Sequence, residues 1–550
     1  MYGADVPETH PERAAAGRRP STETRIGLAC AAVALVHHVL LSRVYFGQEE
    51  GDYGNLGLIL GTLQSGFTYI ETEHMPLYSW LAAAVCAVTG DAHTAGLLVS
   101  LPMGAATAGL VGWMAARWLS PAAGLVAGLL VAFQPDLALT ASTTLRTSTY
   151  TAFAVACVVA AGSRKPIAAG LLFGGAFLVR FDAMYSLLPL LVIVASLPAL
   201  HQRTDPRRRG AGLAAAAGFL VFWAAVYHRL EGTPRFWEAV VARNTGSYEE
   251  LGLLARALKG TDTLALVSQH VIPDHVGWAV LALVPVGLVL VLRGQAREAA
   301  PARVLALAAL GTGGVFVLEV LLSAYRWDHN LYWRWLALAL PFALPLAAHG
   351  AVELVRELTG RRALAWVVAA GLAAATALPM YRQTWHQLIR SDAWIGTQVR
   401  IASWAEDALL ALPLPPEDPE GDSSPALLAE AIPATWLSRK EGLPRVLRWG
   451  QVGDSVPAGD ADAFGRWLRE ENVRVVIWFS EDWVGASERA PFLAAGVPQR
   501  AGDLQLVPVG REEGYGVIAY RVEGEGLPPL SPAAPDLSGG LVPPPSLAAH

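Results

Sequence analysis

"GDYGNLGLILGTLQSGFTYIETEHMPLY" (51–78) interrupts a chain that is otherwise strongly apolar. It follows the first apolar run directly and carries Asp52, Glu71, Glu73 and His74. From Asp52 onward, leucines stand at 56, 60 and 63, and Gly66 closes the run. Spacings of 4, 4 and 3 put these residues on one face of a short helix, with Gly66 at its C-terminal cap. A helix of this kind lies in a membrane interface. Asp52 falls at its N-terminal end, where a carboxylate caps free N–H groups and meets the positive end of the helix dipole. The same carboxylate is also a candidate base at the membrane–water boundary. The segment therefore fixes two questions: how the chain crosses the bilayer, and what a polar helix does at its edge.

Composition answers the first in outline. Of 550 residues, 53% are hydrophobic and only 16% charged, with a mean hydropathy of +0.37. A soluble domain carries about a quarter charged residues, and repeated apolar runs of span length read as transmembrane helices. The chain is a polytopic membrane protein, with membrane lipids as its first partners. The net charge of −6 is modest and the bases gather in a few loops, which excludes nucleic acid as a partner. Cys30, Cys86 and Cys157 all lie in apolar segments, so no disulfide framework is implied.

Hydropathy places spans near 25–42, 93–117, 121–135, 143–161, 167–180, 183–200, 211–228, 273–293, 303–323, 335–350 and 363–380, about eleven in all. The first follows a polar tail, 1–24, with no small-residue cleavage site, and reads as an uncleaved span. Bases occur in the tail, at Arg117, at Arg164 and Lys165, in "HQRTDPRRRG" (201–210), in "RGQAREAAPAR" (293–303) and in "VRELTGRR" (355–362). All fall on one side of an eleven-span path, so the positive-inside rule makes the N-terminus cytoplasmic and everything after about residue 380 extracytoplasmic. The outer face then holds 43–92, "QPDLALTASTTLRTS" (134–148), "RFDAM" (180–184), 229–272 and "AYRWDHNLYWRW" (324–335). Beyond the bundle (25–380), residues 381–525 read as a small extracytoplasmic α/β domain. Its strands are expected at 445–450, 473–480, from 504 and at 515–522, with a helix at 458–471. A Pro- and acid-rich linker (413–425) divides it, and the Pro-rich tail 526–550 has the composition of a disordered segment.

Three motifs point further. In "D-x3-L-x3-L-x2-L-x2-G-x2-Y", followed by "H-M-P-L-Y-S-W-L", Asp52, Gly66, Tyr69, Pro76 and Tyr78 stand in the order seen in the first outer loop of the GT-C glycosyltransferases. The chain resembles the protein O-mannosyltransferases, the aminoarabinose transferases and related bacterial enzymes that use polyprenyl-phosphate sugars. "AGLLFGGAFLVRFDAMYSLLPLL" (169–191) resembles that superfamily's "G-L-x-x-G-x-x-x-L-x-R" span, and "NLYWRWLALALPFALPLAAHG" (330–350) its late "R-Y-x-x-x-x-x-P" segment, with Arg334 at the arginine. The resemblance covers roughly 25–350. It departs at Leu56, where the superfamily has Tyr four residues after the acid, and at Arg146, in a turn that commonly carries an acidic residue. It implies an all-α GT-C-like bundle with interfacial helices in the first outer loop, in a bacterial-type plasma (inner) membrane. It implies a polyprenyl-phosphate sugar as donor and an extracytoplasmic acceptor.

Such a transfer needs a base for the acceptor hydroxyl and cations for the leaving lipid phosphate. Asp52 is the candidate base, with Glu49 and Glu50 as alternatives, because an acidic cluster raises the pKa of one of its members. Arg180 and Arg334, at the outer ends of spans, suit a phosphate through their bidentate geometry; Arg326 and Arg146 come second. Their alternative is snorkelling to headgroups, and for Arg180 an ion pair with Asp182. His74 and Tyr78 complete the set facing substrate. No zinc spacing and no Gly-rich nucleotide loop is visible, so no cofactor and no metal is expected. A flippase for a lipid-linked saccharide and a glycan ligase of the same superfamily are the rival readings; a flippase would show inverted repeats and charges deep in the membrane.

Overall fold

The computed structural model describes residues 20–42, 50–67, 75–197, 200, 205–231, 276–322, 329–360, 367, 371, 401–412, 425–429, 445–447, 449–453, 456–479, 486–512 and 517–530. The side chains of 50–54, 227–231, 318–322, 329–335, 450, 453, 479, 488 and 510–512 fall outside that description. Thirteen helices form the N-terminal part among the described residues: α1 (Thr22–Ser42), α2 (Glu50–Gln64), α3 (Leu77–Thr89), α4 (Ala92–Trp118), α5 (Pro121–Phe133), α6 (Pro135–Ser142), α7 (Thr147–Gly162), α8 (Pro166–Val179), α9 (Ala183–Ser196), α10 (Pro206–Glu231), α11 (Trp278–Leu292), α12 (Ala299–Leu322) and α13 (His329–Thr359).

Five of these, within α1, α4, α10, α12 and α13, are long and apolar enough to cross a membrane, and the bent pair α5–α6 makes a sixth. Five more, α3, α7, α8, α9 and α11, are apolar but shorter. The span expected over 363–380 lies outside the described residues. One apolar helix was not expected as such: α3 falls within the segment 43–92, read as an outer loop. It buries Tyr78, Ala82, Ala83 and Cys86 in the bundle core rather than lying free at its edge.

The bend between α5 and α6 is 57°, and its cause is local. Pro135 has no N–H to continue α5 and forces Gln134 into an extended conformation. The Gln134 side chain then accepts from Leu137 N at 2.7 Å and so caps α6. The stretch 134–148, expected as a short turn, thus holds a short helix, Pro135–Ser142, before α7 begins at Thr147. All eight Ser and Thr residues between 140 and 151 are buried.

Helices meet through small residues, as they must where lipid gives no hydrophobic drive to association. A Cβ on Gly287 would stand 1.9 Å from the Leu346 carbonyl oxygen, and one on Gly170 2.1 Å from that of Gly212. Gly104 admits the ring of His38 in the same way.

Three of the basic segments meet at one end of the bundle. Arg297 Nη1 donates to Glu23 Oε1 at 2.7 Å, Arg117 faces Glu298 at 3.4 Å, and Glu298 N donates to the Trp118 carbonyl at 3.0 Å.

The C-terminal part has its own core and a six-stranded sheet of order β2-β1-β3-β6-β5-β4. Its strands are β1 (Ala426–Leu428), β2 (Arg445–Leu447), β3 (Val473–Phe479), β4 (Gln499–Ala501), β5 (Leu504–Glu512) and β6 (Val517–Glu523). β1 is parallel to β2 and β3, while β6, β5 and β4 continue antiparallel. A helix, Ala461–Glu470, is capped by Asp460, which accepts from Ala463 N at 2.9 Å. Two strands lay outside the sequence expectation, β1 and β4; each has three residues, too few for an alternation to show. The expected strand 445–450 ends at Leu447, and Trp449–Gly453 is helical. The described chain runs past 526. Arg474, buried in β3, donates to the Pro528 carbonyl, and Leu530 is buried; residues 531–550 lie outside the described residues.

Candidate functional site

α2 starts at Glu50, two residues earlier than expected, so Asp52 sits inside its first turn rather than at its cap. A carboxylate there still meets the positive end of the dipole. Gly66 has φ +62° and ends the helix as expected. The buried face is rotated from the leucine stripe. Asn55, Leu56, Ile59 and Thr62 are buried, while Leu60 and Leu63 are half-buried against the core. The two polar residues on that face were not singled out from the sequence.

Tyr78 begins the next helix, and its side chain is buried, not turned to solvent. Its hydroxyl donates to the Thr144 carbonyl at 2.6 Å and lies 3.3 Å from Ser100 Oγ. The residue binds α3 to α4 and to the segment after α6. Gly96 is what lets them approach, since a Cβ there would come within 2.7 Å of the Thr144 methyl.

Arg180 and Asp182 are brought together. Arg180 Nε donates to Asp182 Oδ2 at 2.5 Å, and Nη1 donates to Thr147 Oγ1 at 3.2 Å. The Asp182 carbonyl accepts from Ser186 Oγ at 2.9 Å, and that hydroxyl lies 2.9 Å from Tyr150 Oη. The ion pair is 14% and 19% exposed at its two side chains, so it is shielded yet reachable. One edge of the guanidinium is fixed by Asp182 and one nitrogen by Thr147. Nη2 makes no hydrogen bond among the described residues, and a fork held this way offers it to an anion.

Asp136 is a buried carboxylate that the sequence reading missed. It stands in the first turn of α6 and accepts from Gln134 Nε2 at 2.8 Å. Its signal was legible, a Gln-Pro-Asp start followed by a run rich in hydroxyls. Thr147, Ser186 and Tyr150 were also missed, because nothing local marks a Thr as the partner of an arginine 33 residues away.

Glu49, His74 and Arg326 lie outside the described residues. Glu50 and Arg334 lie in α2 and α13, with side chains outside the description. Among the described residues no group of three or more His, Cys, Asp or Glu residues is placed to hold a metal.

Residues 73–228 match the sequence pattern of the family described as dolichyl-phosphate-mannose-protein mannosyltransferase. The match includes Tyr78, Arg180 and Asp182 and begins after Asp52. No curated protein sequence gives a significant match. Among solved structures, the fold is similar to ArnT from Cupriavidus metallidurans bound to undecaprenyl phosphate, with 15% identity and a TM-score of 0.55, covering 90% of this chain and 98% of that one. It is similar also to ArnT from the same organism in the apo state, with 16% identity and a TM-score of 0.51, covering 91% and 98%. The archaeal oligosaccharyltransferase AglB from Archaeoglobus fulgidus, in complex with an inhibitory peptide and a dolichol-phosphate, follows at 12% identity and a TM-score of 0.49, covering 92% and 75%. The chain has the GT-C fold, a multi-pass helical bundle with a C-terminal sheet, and carries the protein-mannosyltransferase pattern in its α3–α10 segment.

Proposed function

We propose that this protein is a membrane glycosyltransferase that moves a sugar from a polyprenyl phosphate to an acceptor outside the cytoplasm. Support comes from the GT-C fold, from the family pattern over 73–228 and from the undecaprenyl phosphate held by ArnT. The single observation that carries the proposal is Arg180, whose guanidinium is fixed by Asp182 and Thr147 with Nη2 left for an anion.

In this reading the acceptor oxygen attacks the anomeric carbon as the bond from that carbon to the phosphate oxygen breaks. Charge accumulates on the leaving lipid phosphate, and a pre-oriented guanidinium stabilises it without reorganising. Arg334, with Arg326 near it in sequence, is the second cation proposed for the phosphate. Asp52, in the first turn of α2, takes the acceptor proton, with Glu49 and Glu50 as neighbours able to do so. His74 is proposed to face substrate. Tyr78 acts through Thr144, as a positioning residue for the wall of the site. The basic end of the bundle is cytoplasmic in this proposal, which puts the site and the C-terminal domain on the opposite side.

The test is direct. Purified protein is incubated with a panel of polyprenyl-phosphate sugars, and release of lipid phosphate is followed. One sugar supporting turnover is expected; no release from any of them, with intact protein, would remove the proposal.

A further inference from the structure

Asp182 stands in the N-cap position of α9, yet its side chain makes no capping hydrogen bond there. An Asp in that position ordinarily accepts from an N–H of the first turn. Here the carboxylate is given to Arg180 Nε instead. The turn between α8 and α9 is therefore built around the guanidinium, and whatever fixes the turn fixes the arginine.

α7 supplies both anchors. Thr147 and Tyr150 stand three residues apart in its first turn and share one face. Thr147 Oγ1 accepts from Arg180 Nη1 at 3.2 Å. Tyr150 Oη lies 2.9 Å from Ser186 Oγ, and Ser186 Oγ donates to the Asp182 carbonyl at 2.9 Å. A serine hydroxyl has one proton. With that proton on the Asp182 carbonyl, Tyr150 is the donor to Ser186. The hydrogen bonds thus run one way, from α7 through α9 to the residue that holds Nε.

A serine bonding back to the carbonyl four residues earlier is an ordinary helical habit; a tyrosine seated on that serine is not. Tyr150 is 1% exposed and Ser186 5%, so water does not stand in for either. Phenylalanine would fill the same space. Packing alone has no use for the hydroxyl, whose burial costs free energy unless it is bonded.

We propose that Tyr150 is a positioning residue for Arg180. Through Ser186 it holds the Asp182 turn against α7, so that Nε and Nη1 are gripped together and Nη2 stays aimed at the lipid phosphate. This rests on the phosphate role given to Arg180 above and adds to it. Tyr150 touches no substrate in this role; it pre-orients the group that does.

Full-length protein in detergent is titrated with a polyprenyl phosphate that carries no sugar, and Kd is measured for wild type, Tyr150→Phe, Ser186→Ala and the two combined. The same set is made on Arg180→Gln, whose amide can still donate to Asp182 but lacks the charge. Tyr150→Phe and Ser186→Ala are each expected to weaken binding about 2- to 12-fold, the range of one hydrogen bond. Together they should weaken it no further than either alone, because they break one chain. On Arg180→Gln neither should weaken it at all. Thr151→Val is the structural comparison. It breaks the pair that Thr151 makes with Thr107 of α4 at 3.4 Å, and should lower the thermal midpoint without moving Kd. Unchanged Kd in both Tyr150→Phe and Ser186→Ala, with Arg180→Gln weakened, would overturn the positioning role and leave the phosphate reading standing. A loss in Tyr150→Phe that persists in full on Arg180→Gln would overturn it as well, since the effect would not pass through the arginine. Binding by Arg180→Gln as tight as wild type would remove the phosphate reading, and this proposal with it.

Discussion

Thr147 Oγ1 lies 3.2 Å from Arg180 Nη1, while Asp182 holds Nε of the same guanidinium at 2.5 Å. The arginine is thus gripped on two edges by residues from α7 and from the turn between α8 and α9. A cation that only snorkelled would have no such partners.

Removing Arg180 tests the grip by function. Arg180→Ala is expected to cost about 2–3 kcal/mol of donor use if Nη2 meets a desolvated phosphate, about 30- to 150-fold in kcat/KM. Arg180→Lys keeps the charge and loses the fork, so it should rescue only partly. Thr147→Val removes one neutral partner and should cost about 1 kcal/mol, seen mainly in the KM for donor. Unchanged donor kinetics in Arg180→Ala would return the residue to a structural ion pair.

Asp52→Asn separates the two roles open to that carboxylate. Inside the first turn asparagine keeps the shape of aspartate and gives up only the charge–dipole interaction, about 0.3–1 kcal/mol, so insertion should hold and thermal stability should fall little. Transfer is expected to fall by about 10²-fold or more, because Asn cannot accept the acceptor's proton. Glu49→Gln and Glu50→Gln belong in the same assay. Full turnover by Asp52→Asn moves the base to a neighbour.

Tyr78→Phe probes packing and not chemistry. The Thr144 carbonyl would lose the Tyr78 hydroxyl, at a cost of about 0.5–1.5 kcal/mol, read as a lower thermal midpoint. Gly287→Ala should be worse, since its Cβ meets the Leu346 carbonyl oxygen at 1.9 Å and the α11–α13 crossing must open. An unaltered midpoint for Gly287→Ala would show that the two helices do not cross at that distance.

Reporter fusions decide the sidedness. Fusions at 205, 298 and 358 are expected to report cytoplasm, and those at 245 and 450 the outside. Arg297–Glu23 and Arg117–Glu298 join three basic segments at one end, Arg164 lines a cavity with Arg117 and Glu298 there, and Gly212 packs on the Pro166 carbonyl beside it, so a split result among 205 and 298 would contradict the packing.

By itself the sequence determined that the chain is a helical membrane bundle, where most of the helices run, that basic segments gather together and that a GT-C pattern is present. Those features are local or periodic: an apolar run of span length, a Pro or Gly at a boundary, an excess of bases in alternate loops. Asp52 near a helix start and Gly66 at its end were legible for the same reason. Tertiary structure decided the rest. It bent α6 by 57° from α5 and buried a stretch rich in hydroxyls. It turned the buried face of α2 away from the leucine stripe and onto Asn55 and Thr62, because the neighbouring helices, not the helix itself, choose which side is covered. It gave Arg180 the partner Thr147, and Tyr78 the carbonyl of Thr144, across 33 and 66 residues of chain. Contacts made over such separations leave no periodic trace, since each depends on how whole helices cross and not on the residues beside it.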